Sequence, residues 1–597
     1  MSKILFNKPH GELLGKGSYG AVYKKDGVAI KIYNKSEFGD GVPCDAIREI
    51  AILLALNHNN IAHIISVEML DDLPRVAISM ELASMGSLDS ALEKRNVVTR
   101  WTDDDWSMRS IYGLLLDMWT GISYMHENGI IHRDIKPCNM LLFNSEPHKI
   151  TLKITDFGGS IVHIGKFDEP RTDPITTLWY RSPEVAFGLK LMHGPAMDVW
   201  SGGLVMSEII IGCRPLFVKC LTNWELKKAI CYKFGTPTLQ NNLMPSYYAG
   251  RSPSLPPPSE NIHQAISPVE MIYSGMVPGE PFYSMTNMAL CMEPTRRASA
   301  SWMIKRLVAG TEGSVPFDRR VSSAANKRTI VSRMVTAPEA FPNSGNIRST
   351  MGTCLFAVCV RMSSDSSRRV FHAAAAILDR LMTKSEFVSR QMVSNREMIK
   401  SCMGIMCVAS KLCESRCITP GFIVGKYYDS EIPNHAENAD SAEHVKHVEQ
   451  AESAEHAKRQ PFEAPHFDAS ELMAAEMLII KECGWDLWII TPMDVASGTC
   501  TSDPNMNYTR NYIVDIICCY IGSGGYSPVE VDLAASYLTT RIMDKEEIVV
   551  SDHVKTLASE CENVMESVHG SIIYLYYSTD KRHAVSTMIK KKETMEN

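Results

Sequence analysis

The chain has 597 residues, 45% hydrophobic and 22% charged, with a formal net charge of −7. That length suits two or three domains of ordinary globular composition. The acidic balance argues against direct nucleic-acid binding, the 17 cysteines show no zinc or disulfide spacing, and no apolar run approaches the ~20 residues that span a bilayer. The cysteines read as reduced thiols and Met1–His10 does not read as a signal peptide, so the expected location is intracellular, in cytoplasm, nucleus or both.

Strand signals open the chain. Gly11–Lys24 and Gly27–Tyr33 are β-branched and punctuated by glycine, which predicts hairpin strands. From about Pro43 to Leu56 the pattern becomes helical, with Ile47, Ile50, Leu53 and Leu54 at helical spacing. Helices are expected to dominate from Trp106 to Ile230. Thr236–Glu270, rich in Pro, Ser and Asn, reads as surface loop. Residues 310–346 are polar, with five Arg/Lys against three acidic residues, and read as a linker. From Ile347 helical patterns return almost without strands. Tyr428–Phe467 interrupts them with a near-repeat, Ser441-Ala-Glu-His-Val-Lys and Ser453-Ala-Glu-His-Ala-Lys. No other ligand cluster supports a metal-binding tract there, so it reads as a solvated insertion.

Gly15-Lys-Gly17-Ser18-Tyr19-Gly20-Ala-Val22 is a glycine-rich turn between strands, where backbone N–H groups can approach phosphates. Alone it reads equally well as a plain hairpin. Val28-Ala29-Ile30-Lys31 then places a lysine on the next strand, where a cation can hold the α- and β-phosphates of ATP. Glu49 on the following helix is the anion that fixes it. The most specific motif is His132-Arg133-Asp134-Ile135-Lys136-Pro137-Cys138-Asn139. Asp134 suits the substrate hydroxyl proton, Lys136 the moving phosphoryl group and Asn139 a magnesium ion. Asp156-Phe157-Gly158 follows, and its resemblance to a protein-kinase motif implies Asp156 as the main magnesium carboxylate. In this order the set resembles the protein kinases. The resemblance implies a two-lobed α+β fold, ATP and Mg2+ as cofactors, and Lys31, Glu49, Asp134 and Lys136 as catalytic residues. A fold retained without turnover is the alternative, but no catalytic position is substituted.

The resemblance narrows further. Gly41-Val42-Pro43-Cys44-Asp45-Ala46-Ile47-Arg48-Glu49-Ile50 resembles the signature helix of cyclin-dependent kinases, and Thr177-Leu178-Trp179-Tyr180-Arg181-Ser182-Pro183-Glu184 their activation-segment end. Asp198-Val-Trp200-Ser201, Phe234-Gly-Thr236-Pro237 and Glu293-Pro-Thr-Arg296-Arg297 extend the likeness over residues 5–308. It implies Gly15, Gly17, Ser18, Tyr19, Gly20, Val22 and Ala29 around ATP, Met80 as gatekeeper, and Glu81 to Ala83 as the adenine-binding hinge. It also implies a Glu184–Arg297 ion pair. Arg181 would fix a turn that favours proline after the phosphoacceptor, giving Ser/Thr-Pro substrates. Ser18 and Tyr19 match an inhibitory phosphorylation pair, and Thr172 an activating site clamped by Arg48 and Arg133. The third clamp position is Ile161, which should weaken the clamp.

The second half resembles a cyclin. Ile377-Leu-Asp379-Arg380-Leu381 and Cys407-Val-Ala409-Ser410-Lys411 are similar to the middle helices of a cyclin box. Asp468-Ala-Ser-Glu471 is a capping box opening a helix over Leu472–Cys483 that stops at Gly484. The resemblance implies that Lys411 and Glu476 grip the backbone ahead of the signature helix while Ile47 enters an apolar groove. Tyr512–Lys590, with Val529–Ile542 as central helix, resembles a second copy. The first helix, near Arg348–Met362, lacks the usual pattern for docking Arg-X-Leu motifs.

The expected organisation is a kinase domain (1–308), a linker (309–346), a first cyclin box (347–495) carrying the insertion at about 428–467, and a second cyclin-like box (496–597). The whole reads as an α+β kinase followed by an all-α cyclin fold of two five-helix boxes. It would be activated through its own kinase–cyclin contact, in cis or in trans within a dimer. A flexible linker of roughly 35 residues spans about 30–35 Å and would hold the two at about millimolar effective concentration. Three alternatives stand beside this reading: a kinase needing a separate cyclin, with a C-terminal docking bundle; a transcription-factor-like binding module in the second half; and a catalytically dead scaffold.

Overall fold

The computed structural model describes residues 11–17, 20–34, 40–69, 75–94, 108–146, 149–162, 176–188, 194–211, 215–234, 279–311, 345–362, 367–391, 394–413, 419–420, 422–423, 466–487, 491–492, 503–522, 526–543, 545 and 548–567. The first unit opens with five strands, β1 (Glu12–Lys16), β2 (Gly20–Lys25), β3 (Val28–Tyr33), β4 (Ile64–Met69) and β5 (Val76–Glu81). They form one antiparallel sheet in the order β1-β2-β3-β5-β4. Asp26 and Gly27 both take positive φ, 49° and 80°, the turn that lets β2 and β3 pair directly from Lys25 and Val28. The register decides what faces the cleft. Val22, Lys31 and Ile78 lie opposite one another, as do Lys24, Ala29 and Met80. Facing residues share a side of the sheet and side chains alternate with period two, so Val22, Ala29, Lys31 and Met80 line one face.

Helix α1 (Cys44–Ala55) follows Pro43, whose fixed φ suits a helix start. It buries Ala46, Ile47, Ile50, Ala51 and Leu53, and also Arg48 and Glu49, because it is packed on several sides. It contacts β4, the turn at Phe157–Gly159 and a helix of the second half, Asn395–Cys413. The lower lobe adds α2 (Leu88–Lys94), α3 (Met108–Glu127), α4 (Pro183–Ala186), α5 (Pro195–Ile211), α6 (Asn223–Phe234), α7 (Phe282–Ala289) and α8 (Ala300–Thr311). The stretch expected to be largely helical also holds four short strands: β6 (Ile130–Ile131), β7 (Met140–Glu146), β8 (Lys149–Ile154) and β9 (Ile161–Val162). β7 pairs with β8 and β6 with β9. β6 and β9, two residues each, are too short to show a period, and pairing decides their form, whereas Lys149–Ile154 alternates polar and apolar residues as a strand should.

In the second half the described elements are helical: α9 (Gly345–Met362), α10 (Ser367–Leu381), α11 (Ser385–Gln391), α12 (Asn395–Cys413), α13 (Ala469–Cys483), α14 (Pro504–Ile516), α15 (Pro528–Ile542) and α16 (Asp552–Ser567). The capping box read at Asp468 and Glu471 is formed, and Gly484 ends α13 with φ +60°. Buried ion pairs tie the earlier helices to the later ones. Arg348 reaches Asp379 at 2.9 Å and the carbonyls of Cys518 and Cys519 at 2.7 and 2.6 Å. Asp515 accepts from Arg368 and lies against His372, both at 2.8 Å. One contiguous apolar core runs from Tyr33 through both halves to Met565. Among the described residues no helix is long and apolar enough to cross a membrane. The described cysteines are free thiols.

α5 sits at the centre of the lower lobe and carries two buried carboxylates. Asp198 at its start accepts from the backbone of the His132–Asn139 loop. Glu208 accepts from the Tyr180 hydroxyl at 3.3 Å, and burial pushes its carboxyl up to about 8. An acid whose pKa is raised by folding lends stability below its ordinary range and loses it as pH rises through the folded value. The melting temperature of the wild type should therefore fall more than that of Glu208→Gln between about pH 6 and about pH 9. Parallel curves for the two proteins in a thermal melt would contradict this.

Candidate active site

Lys31 Nζ lies 2.6 Å from Glu49 Oε2 and 2.9 Å from Asp156 Oδ1. Burial alone would push the ammonium down, but the two carboxylates outweigh it and hold Lys31 above its ordinary value. The Tyr33 hydroxyl, on the same face of β3, donates to Glu49 Oε2 at 2.8 Å. Burial raises the Glu49 carboxyl against the pull of Lys31. For Asp156 Lys31 prevails, and its carboxyl lies below the usual range. Strand β3 and helix α1 thus place a cation and an anion in contact, and the cation also reaches Asp156, the first residue of the Asp156-Phe157-Gly158 turn.

The loop His132–Asn139 is held from beneath by Asp198. Its carboxylate accepts the backbone N–H of His132 at 2.8 Å and of Arg133 at 2.9 Å. Arg133 and Asp156 both take left-handed backbone, φ 68° and 67°, a conformation that costs a non-glycine residue energy and collects at functional sites. His132 Nε2 lies 3.0 Å from the Thr155 carbonyl and its Nδ1 accepts the Asp134 N–H at 3.2 Å, so its proton sits on Nε2. Lys136 Nζ is 2.7 Å from Asp134 Oδ2. Asn139 Nδ2 donates to the Asp134 backbone carbonyl at 2.9 Å and to Oδ2 at 3.2 Å. Thr177 donates to Asp134 Oδ1 through its N–H at 3.0 Å and its hydroxyl at 2.7 Å, and accepts from Lys136 at 2.8 Å. Cys138 lies beside this group, and burial pushes its thiol up to about 11.

Above the cleft, a Cβ at Gly20 would lie 2.2 Å from the Ile32 carbonyl oxygen, so the β2–β3 approach requires glycine there. Met80 is buried at the back. Glu81 accepts the His63 N–H at 3.0 Å and Lys153 Nζ at 2.6 Å, which fixes the start of the segment running to Ala83. Below the cleft, Arg181 donates to the Thr176 hydroxyl and carbonyl at 3.0 and 2.9 Å and to Asn223 Oδ1 at 2.9 Å. Arg297 and Glu184 form a two-pronged pair at 2.8 and 3.1 Å, fully buried.

The second half reaches this machinery through α1. Lys411 Nζ donates to the carbonyls of Asp40 at 2.6 Å and Val42 at 2.8 Å, and to Glu476 Oε1 at 2.5 Å. Glu476 Oε2 accepts the Val42 N–H at 3.3 Å. Arg48 Nε donates to the Lys411 carbonyl at 2.8 Å. Lys411, Glu476 and Ile47 are each 0% exposed. Glu476 outweighs burial and holds Lys411 above its ordinary value, while burial pushes the Glu476 carboxyl up.

The structure therefore brings together Lys31, Glu49 and Asp156, and separately Asp134, Lys136 and Asn139, across one cleft. Ser18, Tyr19 and Thr172 lie outside the described residues. Arg133 Nε donates to the Gly159 carbonyl at 2.6 Å, and Ile161 packs with Ile131, Val185 and Met197. Sequence reasoning missed Tyr33, Thr177 as a partner of Asp134 and Lys136, and the link from Arg48 to Lys411. Tyr33 was within reach of it, since a residue two after Lys31 on a strand shares its face. The other two are long-range contacts that no local pattern encodes.

The protein kinase domain family matches residues 9–307. Cyclin-dependent kinase G-2 of Oryza sativa subsp. japonica is 33% identical over 240 residues, 39% of this chain and 31% of that protein. Cyclin-dependent kinase 11.1 of Caenorhabditis elegans is 35% identical over 235 residues, 37% of this chain and 30% of its own length. Cyclin-dependent kinase 11 of Dictyostelium discoideum is 30% identical over 231 residues, 38% of this chain and 60% of its own length. The chain spans less than two thirds of each of these relatives.

The Tyr33 hydroxyl is the one part of the Lys31–Glu49 arrangement that can be removed without touching a charge. Glu49 Oε1 has no hydrogen-bond partner among the described residues, so Tyr33→Phe leaves the buried carboxylate to Lys31. The expected loss is roughly 1–3 kcal/mol in unfolding free energy, read by denaturant titration. An unchanged midpoint would show that the hydroxyl carries no weight.

Proposed function

Because the protein kinase domain accounts for residues 9–307, the chain belongs to the protein kinase family. On that premise we propose that it is an ATP-dependent Ser/Thr kinase of the cyclin-dependent type, directed to Ser/Thr-Pro sites and activated by its own cyclin-like C-terminal half. Residues 1–308 are the kinase unit, 309–346 the linker, and 347–495 and 496–597 two cyclin-like boxes.

The mechanism follows from the two clusters. Lys31, fixed by Glu49 and Tyr33, binds the α- and β-phosphates of ATP between the glycine-rich turn and the cleft floor. Val22, Ala29 and Met80 bound the adenine pocket, and the backbone of Glu81 to Ala83 supplies its polar contacts. Asp134 receives the proton of the substrate hydroxyl at Oδ1, where Thr177 now sits, and Lys136 moves with the transferring phosphoryl group. Asp156 and Asn139 offer one carboxylate and one amide oxygen, the hard donor set that magnesium takes when phosphates complete its shell. Magnesium held there would neutralise phosphate charge. Arg181, gripping Thr176 and Asn223, supports the preference for proline after the phosphoacceptor.

The observation that carries the activation reading is the junction at α1. A helix whose glutamate must meet Lys31 needs a surface that holds it in place. Lys411 and Glu476 close on the peptide groups just ahead of α1, and Arg48 is tied to the Lys411 carbonyl. A kinase awaiting a separate subunit would leave that seat to it, whereas here this chain's own residues occupy it.

Asp134→Asn tests the catalytic assignment. Transfer to a Ser-Pro peptide should fall by a factor of about 1,000 or more, while ATP affinity stays near wild type because Asp134 acts on the hydroxyl and not on the nucleotide. The wild type should prefer this peptide to the same peptide with Ser-Ala. Equal turnover by the two proteins would refute the role of Asp134.

A further inference from the structure

We propose that Gly41 is a specificity-determining residue of the junction, a position that must carry no side chain if Lys411 and Glu476 are to close on residues 40–42. The functional consequence rests on the reading of the C-terminal half as the activating unit; the steric argument does not.

Two constraints meet at this residue. Its φ is +70°, a region that L-residues enter at a cost and glycine enters freely. A Cβ built there would also lie 1.8 Å from Glu476 Oε2, and 3.0 Å from both Glu476 Cδ and Lys411 Nζ. Neither side chain can give way cheaply. Glu476 is 0% exposed, with one oxygen on Lys411 at 2.5 Å and the other accepting the Val42 N–H at 3.3 Å. Lys411, equally buried, is committed to the carbonyls of Asp40 and Val42 at 2.6 and 2.8 Å. Displacing the carboxylate breaks its bond to Val42 and leaves a buried charge short of a partner, which is strongly unfavourable. The disturbance passes to α1, because the Lys411 carbonyl is the acceptor for Arg48 Nε.

The chemistry of recognition here is generic. Lys411 and Glu476 address peptide N–H and C=O groups that every residue possesses, so hydrogen bonding alone does not say which segment is seated. Shape does. A segment with a Cβ at this point is excluded by about half of a normal contact distance, and one with glycine is admitted. Gly27 provides the comparison, with φ +80° and nothing within 4 Å of its built Cβ.

Hydrogen–deuterium exchange on the full chain tests this with Gly41→Ala, Gly27→Ala, Glu476→Ala and the Gly41→Ala/Glu476→Ala pair. Exchange in the Met108–Glu127 helix serves as the folding control. Gly41→Ala should speed exchange in residues 40–55 and 395–413 by roughly tenfold or more, the scale of a clash in a packed contact, while Gly27→Ala leaves both segments at the wild-type rate. In the Glu476→Ala background the added Gly41→Ala should raise exchange far less, because the clashing carboxylate is gone. Wild-type exchange in Gly41→Ala would overturn the proposal. So would an increment as large with Glu476 absent as with it present, which would reduce Gly41 to backbone strain. Kinase activity measured in parallel separates the two readings. An opened junction with full activity would leave the role of Gly41 standing and refute the activating role of the C-terminal half.

Discussion

Arg48 and Glu49 are neighbours on one helix and face opposite halves of the molecule. Arg48 Nε donates to the Lys411 carbonyl and Glu49 accepts from Lys31. Consecutive helical residues point about 100° apart, so the rotation and depth of α1 set both contacts at once. If α1 swings out, the Lys31–Glu49 pair opens and Lys31 loses one of the two carboxylates that hold it. The strand register, the Asp156 turn and the catalytic loop are each well formed in their own right. Lys31 ties the strand to the Asp156 turn and Arg133 ties that turn to the His132–Asn139 loop, while α1 joins both to the second half of the chain.

Charge burial explains why this constraint is sharp. Lys411 and Glu476 are removed from water entirely, and an ion pair in such a place is strongly unfavourable unless its remaining hydrogen bonds are made. Here they are made by the backbone of Asp40 and Val42, which belongs to the other half. Separating the halves therefore means rehydrating two charges, and a partly open junction leaves them buried and short of partners. That favours two states over a continuum. In the proposed reading, a ligand that prefers the aligned Lys31–Glu49 state also strengthens the junction, since coupling between two sites is reciprocal.

Much of this was legible in the sequence because the residues that carry the chemistry are close in the chain and sparse in alternatives. His132 to Asn139 and Asp156 to Gly158 announce themselves by type and order. Glu49 could be paired with Lys31 once both were placed, and the structure sets them 2.6 Å apart. Lys411 and Glu476 were singled out only through the resemblance of their segments to a cyclin, and both lie against residues 40–42. The capping box at Asp468 and Glu471 was readable by a purely local rule. The misses have the opposite character. β6 and β9 are runs of two residues whose form depends on a partner strand. Thr177 meets Asp134 across 43 positions. Gly41 looks like any turn glycine until Glu476, 435 positions away, is placed beside its missing Cβ.

The most direct test of the account is the rate of phosphoryl transfer to a Ser-Pro peptide by the purified full chain, with no other protein added. It is to be measured for the wild type and for the Lys411→Ala/Glu476→Ala pair. Neither residue approaches the Lys31 or Asp134 clusters, so any effect must travel through α1. The account predicts an active wild type and a rate lower by roughly tenfold or more in the pair, on the scale of an allosteric coupling of 1–3 kcal/mol, with the kinase unit still folded by its melting transition. A double variant as active as the wild type, or a wild type inactive until a separate activating subunit is supplied, would contradict it.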